Sequence, residues 1–265
     1  MLNYQTTGKA SNQLIFIHGN SQNLSCWDAL INNVSLSDQY SLITLDLPGH
    51  GNSFKSNDPQ KDYSVKGMSL HVIDFLNAFN NQPYILIGNS LGTNIIGEIA
   101  TTLINCKGII LTSSTALDHD SQITDLVWPN PNVAAFYMEH PTEDQLDRLI
   151  EDLAERLTAD QQEYLKKTFL QTDPECRVQI GISAAEKKVA NELQNIEKSG
   201  IPIGVVYGEN DKFCKTDFLD KRPFKKWKNK TILLPGSGHC SQIDQPVLLA
   251  NIIEAFAKDC FKTTR

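Results

Sequence analysis

Ser90 sits in Gly88-Asn-Ser-Leu-Gly92, a G-x-S-x-G run between an apolar stretch and a helical pattern. A serine hydroxyl is a weak nucleophile at neutral pH and needs a base within hydrogen-bond reach. His239, in Pro235-Gly-Ser-Gly-His239, is the candidate base, because glycines on both sides of Ser237 bend the chain and let an imidazole reach over a sheet edge. The base needs a buried carboxylate to fix its tautomer and stabilise the imidazolium. Asp211, closing Val206-Tyr-Gly-Glu-Asn-Asp211, is that candidate, with Asp118 and Asp120 as alternatives beyond another strand. The chemistry of such a trio is acyl transfer to Ser90. Its tetrahedral intermediate needs two donors for the oxyanion, each worth about 10²–10³ in rate. The N–H groups of Leu91, just after the serine, and of Asn20, in the turn His18-Gly-Asn-Ser21, are the candidates. Each residue also has a plain reading: a tight turn with an idle serine, a turn-forming aspartate, a filler histidine. Position after successive strands favours the chemical reading.

Those strands must be Gln13–His18, Ser41–Asp46, Tyr84–Gly88, Gly108–Thr112, Pro202–Tyr207 and Thr231–Leu234. Runs such as Leu-Ile-Phe-Ile and Tyr-Ile-Leu-Ile are continuous rather than alternating, as strands covered on both faces are. Helical patterns fall between them, at Trp27–Leu36, Val65–Phe79, Leu91–Ile104 and Pro246–Phe261. Strand and helix in alternation give a parallel sheet with helices on both faces, whose working groups cluster at the carboxyl ends of the strands.

From about Ala116 to Gly200 no strand is predicted. Thr142-Glu-Asp-Gln145 and Thr158-Ala-Asp-Gln161 are capping boxes, and Asp173-Pro174 places a cap before a first-turn proline. Behind the first box, Leu146, Leu149, Ile150, Leu153 and Leu157 share one helical face. A helical insertion over 116–199 therefore interrupts a core formed by 1–115 and 200–265. Trp128, Phe136, Tyr137 and Met138 in the insertion have two readings, walls of an apolar pocket or the insertion's own core; Trp27 and Phe54, after two of the core loops, carry the same choice. Lys221-Arg-Pro-Phe-Lys-Lys-Trp-Lys-Asn-Lys230 reads as the solvated face of a helix with Phe224 and Trp227 turned inward, the alternative being a polyanion-binding patch.

The 265 residues carry a net charge of -7, which argues against nucleic acid and anionic lipid as partners and leaves a small molecule. Six cysteines form no C-x-x-C pair, and the first residues lack the basic and apolar segments of a secretion signal. We expect reduced thiols in a cytoplasmic protein. Histidines and cysteines show no ligand spacing, so neither a metal nor an organic cofactor is expected. No apolar run approaches the roughly 20 residues of a membrane span.

Taken together, His18-Gly-Asn, Asp46-Leu-Pro-Gly-His-Gly-Asn-Ser53 and Gly88-Asn-Ser-Leu-Gly92, with Asp211 and His239, resemble the α/β-hydrolase superfamily. The similarity is to small bacterial capped hydrolases: esterases, C–C hydrolases and cofactor-free haloperoxidases. It covers about residues 10–115 and 200–260 and includes the chain order serine, acid, histidine. It implies a mostly parallel eight-stranded sheet, a helical cap after the sixth strand, and a bracing role for Asp46. The N-terminal strands would then come from Leu2–Thr7 and its neighbours. The expected reaction is hydrolysis of a small carboxylic ester or thioester through an acyl-Ser90 intermediate. A C–C hydrolase or perhydrolase using the same residues, and a non-catalytic ligand-binding module of the same fold, are the alternatives. No motif encodes the natural substrate or the oligomeric state.

Overall fold

The computed structural model describes residues 1–79 and 82–262. Its sheet has seven strands: β1 (Tyr4–Thr7), β2 (Gln13–Ile17), β3 (Ser41–Leu45), β4 (Tyr84–Asn89), β5 (Cys106–Thr112), β6 (Ile203–Gly208) and β7 (Ile232–Leu234). Their order is β1-β3-β2-β4-β5-β6-β7, and every pairing is parallel except β1 with β3. Successive strand residues point to opposite faces. Ile15 and Ile17 join one core, whereas Leu14 and Phe16 join the other; Leu86 and Ile87 divide the same way. Both faces are thus buried, which is why the strands read as unbroken apolar runs. Each such side chain contributes about 1.5–3 kcal/mol on burial.

The helices of eight or more residues among those described are α1 (Val65–Phe79), α2 (Leu91–Ile99), α3 (Glu143–Leu153), α4 (Ala159–Gln171), α5 (Pro174–Ala185), α6 (Glu192–Ser199) and α7 (Pro246–Lys262). Side chains of α1 and α2 pack on the first face, together with those of α3 to α6. The second face is covered by α7 and by residues 24–40. Helices α3 to α6 all lie between β5 and β6, in the stretch where no strand was expected. Both capping boxes form, with Thr142 and Thr158 accepting from the N–H of Gln145 and Gln161. Asp173 caps α5, whose first residue is Pro174.

Among the described residues, seven strands stand where eight were expected. Leu2–Thr7 supplies one strand only: Gly8, at φ +86°, turns the chain beneath the Tyr40 carbonyl, and residues 8–12 are spent crossing to β2. The helix expected over Trp27–Leu36 is broken into short turns at 24–27, 28–31 and 34–39, because Asn23 and Asn33 each bond the N–H two residues ahead and restart the chain. The one expected over Leu91–Ile104 ends at Ile99 in a 3-10 turn, where the Thr102 hydroxyl bonds the Ile99 carbonyl. The basic run is not a helix either. It forms 3-10 turns, with Lys228 and Asn229 at positive φ, although Phe224 is buried and Trp227 meets Phe256 edge-on with ring centroids 5.4 Å apart.

Candidate active site

Five strand ends, those of β2, β4, β5, β6 and β7, converge on one cavity. Ser90 follows β4 directly and caps α2 with φ 50° and ψ -116°, a conformation costly for a residue with a side chain. The turn is possible because Gly92 passes against β2: a Cβ there would lie 2.4 Å from the Ile17 carbonyl oxygen. The Ser90 N–H donates to the Thr112 carbonyl on β5 at 3.1 Å, and its own carbonyl accepts from the Thr93 N–H at 2.7 Å. The strained turn is therefore held by backbone bonds on both sides.

Asp211 follows β6 and His239 follows β7. The His239 Nδ1 faces both carboxylate oxygens of Asp211, at 3.1 and 3.0 Å. Asp211 also accepts the N–H groups of Phe213 and Cys214, each at 2.9 Å. Burial pushes this carboxyl up, but the facing imidazole and the two N–H donors outweigh it and hold it below the usual carboxylate range. Asp211 is thus an anion, which requires the proton of the histidine to sit on Nδ1 and leaves the Nε2 lone pair for another partner. The phenyl ring of Phe213 packs edge-on against the imidazole, centroids 5.2 Å apart. Asn89 ties the serine turn to this loop by donating to the His239 carbonyl at 3.3 Å. Asp118 is engaged elsewhere, pairing with Arg222 and accepting the Gln194 N–H, and Asp120 is exposed.

The Leu91 N–H is the first of α2, a position without an intrahelical acceptor. Asn20 lies in the turn after β2, where Gly19 comes so near the serine that a Cβ on it would be 3.4 Å from the Ser90 Cβ. The Asn20 amide donates to the Phe136 carbonyl at 3.1 Å, anchoring the turn to the insertion. His18 and His50 brace these loops as neutral rings. Their Nε2 atoms accept from Leu47 N–H and Ser21 N–H, at 3.0 and 3.1 Å. Burial lowers His18 to about 4 and His50 to about 3. Asp46 bonds the N–H groups of Leu24 and Asn52 and the amide of Asn3, fastening two loops and the N-terminus.

The cavity has a volume of about 100 Å³ and opens to solvent. Ser90, His239, Asn20 and Leu91 line it together, and so do Phe136 and Tyr137 from the insertion. The other aromatic candidates are elsewhere. Trp27 is fully buried against Phe16 in the core on the opposite face of the sheet. Phe54 packs edge-on to His71, its loop closed by the Gly49 N–H to Phe54 carbonyl bond. Trp128 is 49% exposed beneath the Lys215 ammonium. Its neighbour Val127 pairs with Cys214 in an antiparallel bridge, so consecutive side chains diverge and Val127, not Trp128, faces the cavity. Met138 is half-buried outside it and offers its carbonyl to Arg177.

Several wall residues escaped the sequence reading. Asn94 lies one helical turn beyond Ser90, Thr115 and Leu117 follow β5, and Phe213 follows Asp211. Their places next to strand ends and the serine turn were the available signal. Ile123, Leu126, Val133 and Val189 on short turns and loops, with Ile180 and Ala184 on α5, complete the wall from the insertion. Among the described residues, Asp211, Cys214 and His239 also form a group whose donor atoms all lie within 4.8 Å of one another, a set that spacing along the chain did not reveal. No described helix is long and apolar enough to cross a membrane.

The profile of the family described as "alpha/beta hydrolase fold" matches residues 12–246. The chain is 26% identical to a pimeloyl-[acyl-carrier protein] methyl ester esterase of Wigglesworthia glossinidia brevipalpis, over 96% of this chain and 97% of the relative. The enzyme of the same name from Nitrosomonas europaea is 23% identical, with 96% and 98% covered. Among solved structures, N-acyl homoserine lactonase AidH complexed with N-butanoyl homoserine superposes with a TM-score of 0.88 at 22% identity, covering 98% of this chain and 93% of that one. An esterase from Exiguobacterium antarcticum superposes at 0.78 and 16% identity, covering 97% and 95%.

Proposed function

This chain belongs to the α/β-hydrolase fold family, and from that premise we propose that it is a serine hydrolase cleaving a small carboxylic ester or thioester through an acyl-Ser90 intermediate. A small lactone, which is a cyclic ester, falls in the same class. The observation that carries this reading is the joint exposure, in one cavity, of Ser90 on its strained turn and of His239 backed by the Asp211 carboxylate. Ser90 Oγ attacks the carbonyl carbon while His239 Nε2 takes its proton, and Asp211 stabilises the imidazolium. The Leu91 and Asn20 N–H groups receive the oxyanion. Collapse expels the alcohol or thiol with the proton from His239, and water repeats the cycle on the acyl-enzyme.

The helices within 116–199 act as a cap that excludes water and selects the acyl group, with Phe136 and Tyr137 as contacts. Relatives named as methyl ester esterases and a neighbour named as a lactonase support ester-type substrates. All six cysteines are free thiols and five are buried, which supports a reducing compartment such as the cytoplasm. The test is fluorophosphonate labelling alongside p-nitrophenyl acetate and butyrate turnover, in wild type and Ser90→Ala. Both signals vanish in the variant if Ser90 is the nucleophile. A folded wild type that neither labels nor turns over ester would overturn the reading in favour of a binding module.

A further inference from the structure

We propose that Asp211, Cys214 and His239 form a binding site for a thiophilic divalent cation, zinc or cadmium, whose occupation switches off ester hydrolysis. The inhibitory half rests on the role given to His239 above; the binding half does not. Three donors of different type, a carboxylate oxygen, a thiol sulfur and an imidazole nitrogen, meet with all ligand atoms within 4.8 Å. His239 Nδ1 lies 3.0 Å from Asp211 Oδ2 and 3.9 Å from Cys214 Sγ. Zinc bonds of about 2.0–2.3 Å at tetrahedral angles place nitrogen and oxygen about 3.3 Å apart and nitrogen and sulfur about 3.6 Å apart. The two nitrogen distances therefore need to change by only a few tenths of an ångström, while the oxygen and the sulfur, within 4.8 Å of each other, must close to about 3.5 Å through rotation of the Cys214 side chain. Cys214 and His239 both line the cavity, which gives the ion a path, and a water from it can complete the tetrahedron.

The balance of charge and protons is explicit. The cation replaces the Cys214 thiol proton, which leaves as H⁺, while Asp211 is already an anion. Coordination takes the Nδ1 lone pair of His239, so its single proton passes from Nδ1 to Nε2. The ring then presents an N–H to Ser90 where it had offered a lone pair, and it can no longer receive the hydroxyl proton. The thiolate supplies selectivity: magnesium and calcium prefer oxygen ligands and lack this affinity. A second cysteine–histidine contact, Cys176 Sγ to His50 Nδ1 at 3.8 Å, belongs to no such group of three donors among the described residues and serves as the internal control.

The test is a titration of the full chain with Cd²⁺, following the ultraviolet thiolate-to-cadmium band, with p-nitrophenyl acetate turnover in parallel. One equivalent should develop the band, and Cys214→Ala and Cys214→Ser should abolish it while Cys176→Ala keeps it. Zinc should inhibit wild type reversibly with EDTA, and the half-inhibitory concentration should rise at least tenfold in both Cys214 variants, each measured against its own metal-free rate. A band that survives in folded Cys214→Ala or Cys214→Ser, or no band at all, overturns the site. A band at Cys214 without loss of turnover upholds the site and overturns His239 as the base.

Discussion

The loops at the sheet end and the helical insertion above them are held together by different means. Ser90, Asp211 and His239 hang from parallel strands and are fixed by short backbone bonds to adjoining strand ends, such as Ser90 N–H to Thr112 and Asn210 N–H to Ser237. The insertion has no sheet to hang from. It is gathered round Arg177, which is 2% exposed and donates to the carbonyls of Met138, Glu139, Phe169 and Thr172 at 2.7–3.1 Å, with its guanidinium over the Phe169 ring. Position is a property of the backbone in the first region; in the second, the segments carrying Met138, Phe169 and Thr172 depend on one side chain. Damage to the first should therefore show in the chemical step, and damage to the second in stability and substrate selection.

Asp211→Asn tests the first half most severely. An amide in place of the carboxylate stabilises the wrong imidazole tautomer, and kcat should fall about 10⁴-fold with little change in KM. A fall of less than tenfold in stopped-flow ester hydrolysis would mean that another group orients His239. Arg177→Met tests the second half. It leaves buried carbonyls without their charged donor, and the urea midpoint should report a loss of about 3–4 kcal/mol. KM for p-nitrophenyl butyrate should rise more than kcat falls; the reverse would break the contrast between the two regions.

Acid should act on the sheet end. His18 and His50 stay neutral in the fold, to about pH 4 and 3, whereas in the unfolded chain each takes a proton below about 6.5. Between pH 6.5 and 4 the unfolded state binds more protons, so stability falls as pH falls, by about 3 kcal/mol from His18 alone. Urea midpoints at pH 7 and pH 5 check this, and His50→Gln should flatten the dependence. The smallest effects concern the pocket wall. Phe136→Ala should shift kcat/KM toward longer acyl chains by about tenfold across the acetate-to-octanoate series, whereas Trp128→Ala should shift it less than twofold.

The same division decides what could be read from the sequence. Strands β2 to β6, the serine turn and the two capping boxes depend on neighbours a few residues away, and their patterns were visible. The Asp211–His239 contact was legible as well, because each residue ends a strand on the same side of a parallel sheet. The pocket aromatics were not. Whether Trp27, Phe54 or Trp128 faces the cavity depends on how segments far apart in the chain pack: Asn23 starts the 3-10 turn whose last residue, Trp27, is buried behind the sheet, and the Val127–Cys214 bridge turns Trp128 outward. Arg177 was missed for the same reason, since its acceptors are carbonyls, which carry no residue identity.

The Val127–Cys214 bridge has a mechanical consequence. Trp128 N–H bonds the Phe213 carbonyl at 2.8 Å, and Lys215 N–H bonds that of Leu126 at 2.8 Å, so this stretch is stitched to the strap that carries Asp211. A door hung at the end of β5 would tear both stitches and pull the carboxylate from its imidazole. Any door that leaves the catalytic geometry standing must hang further along the chain, beyond Trp128, and the stretch before it serves as doorframe.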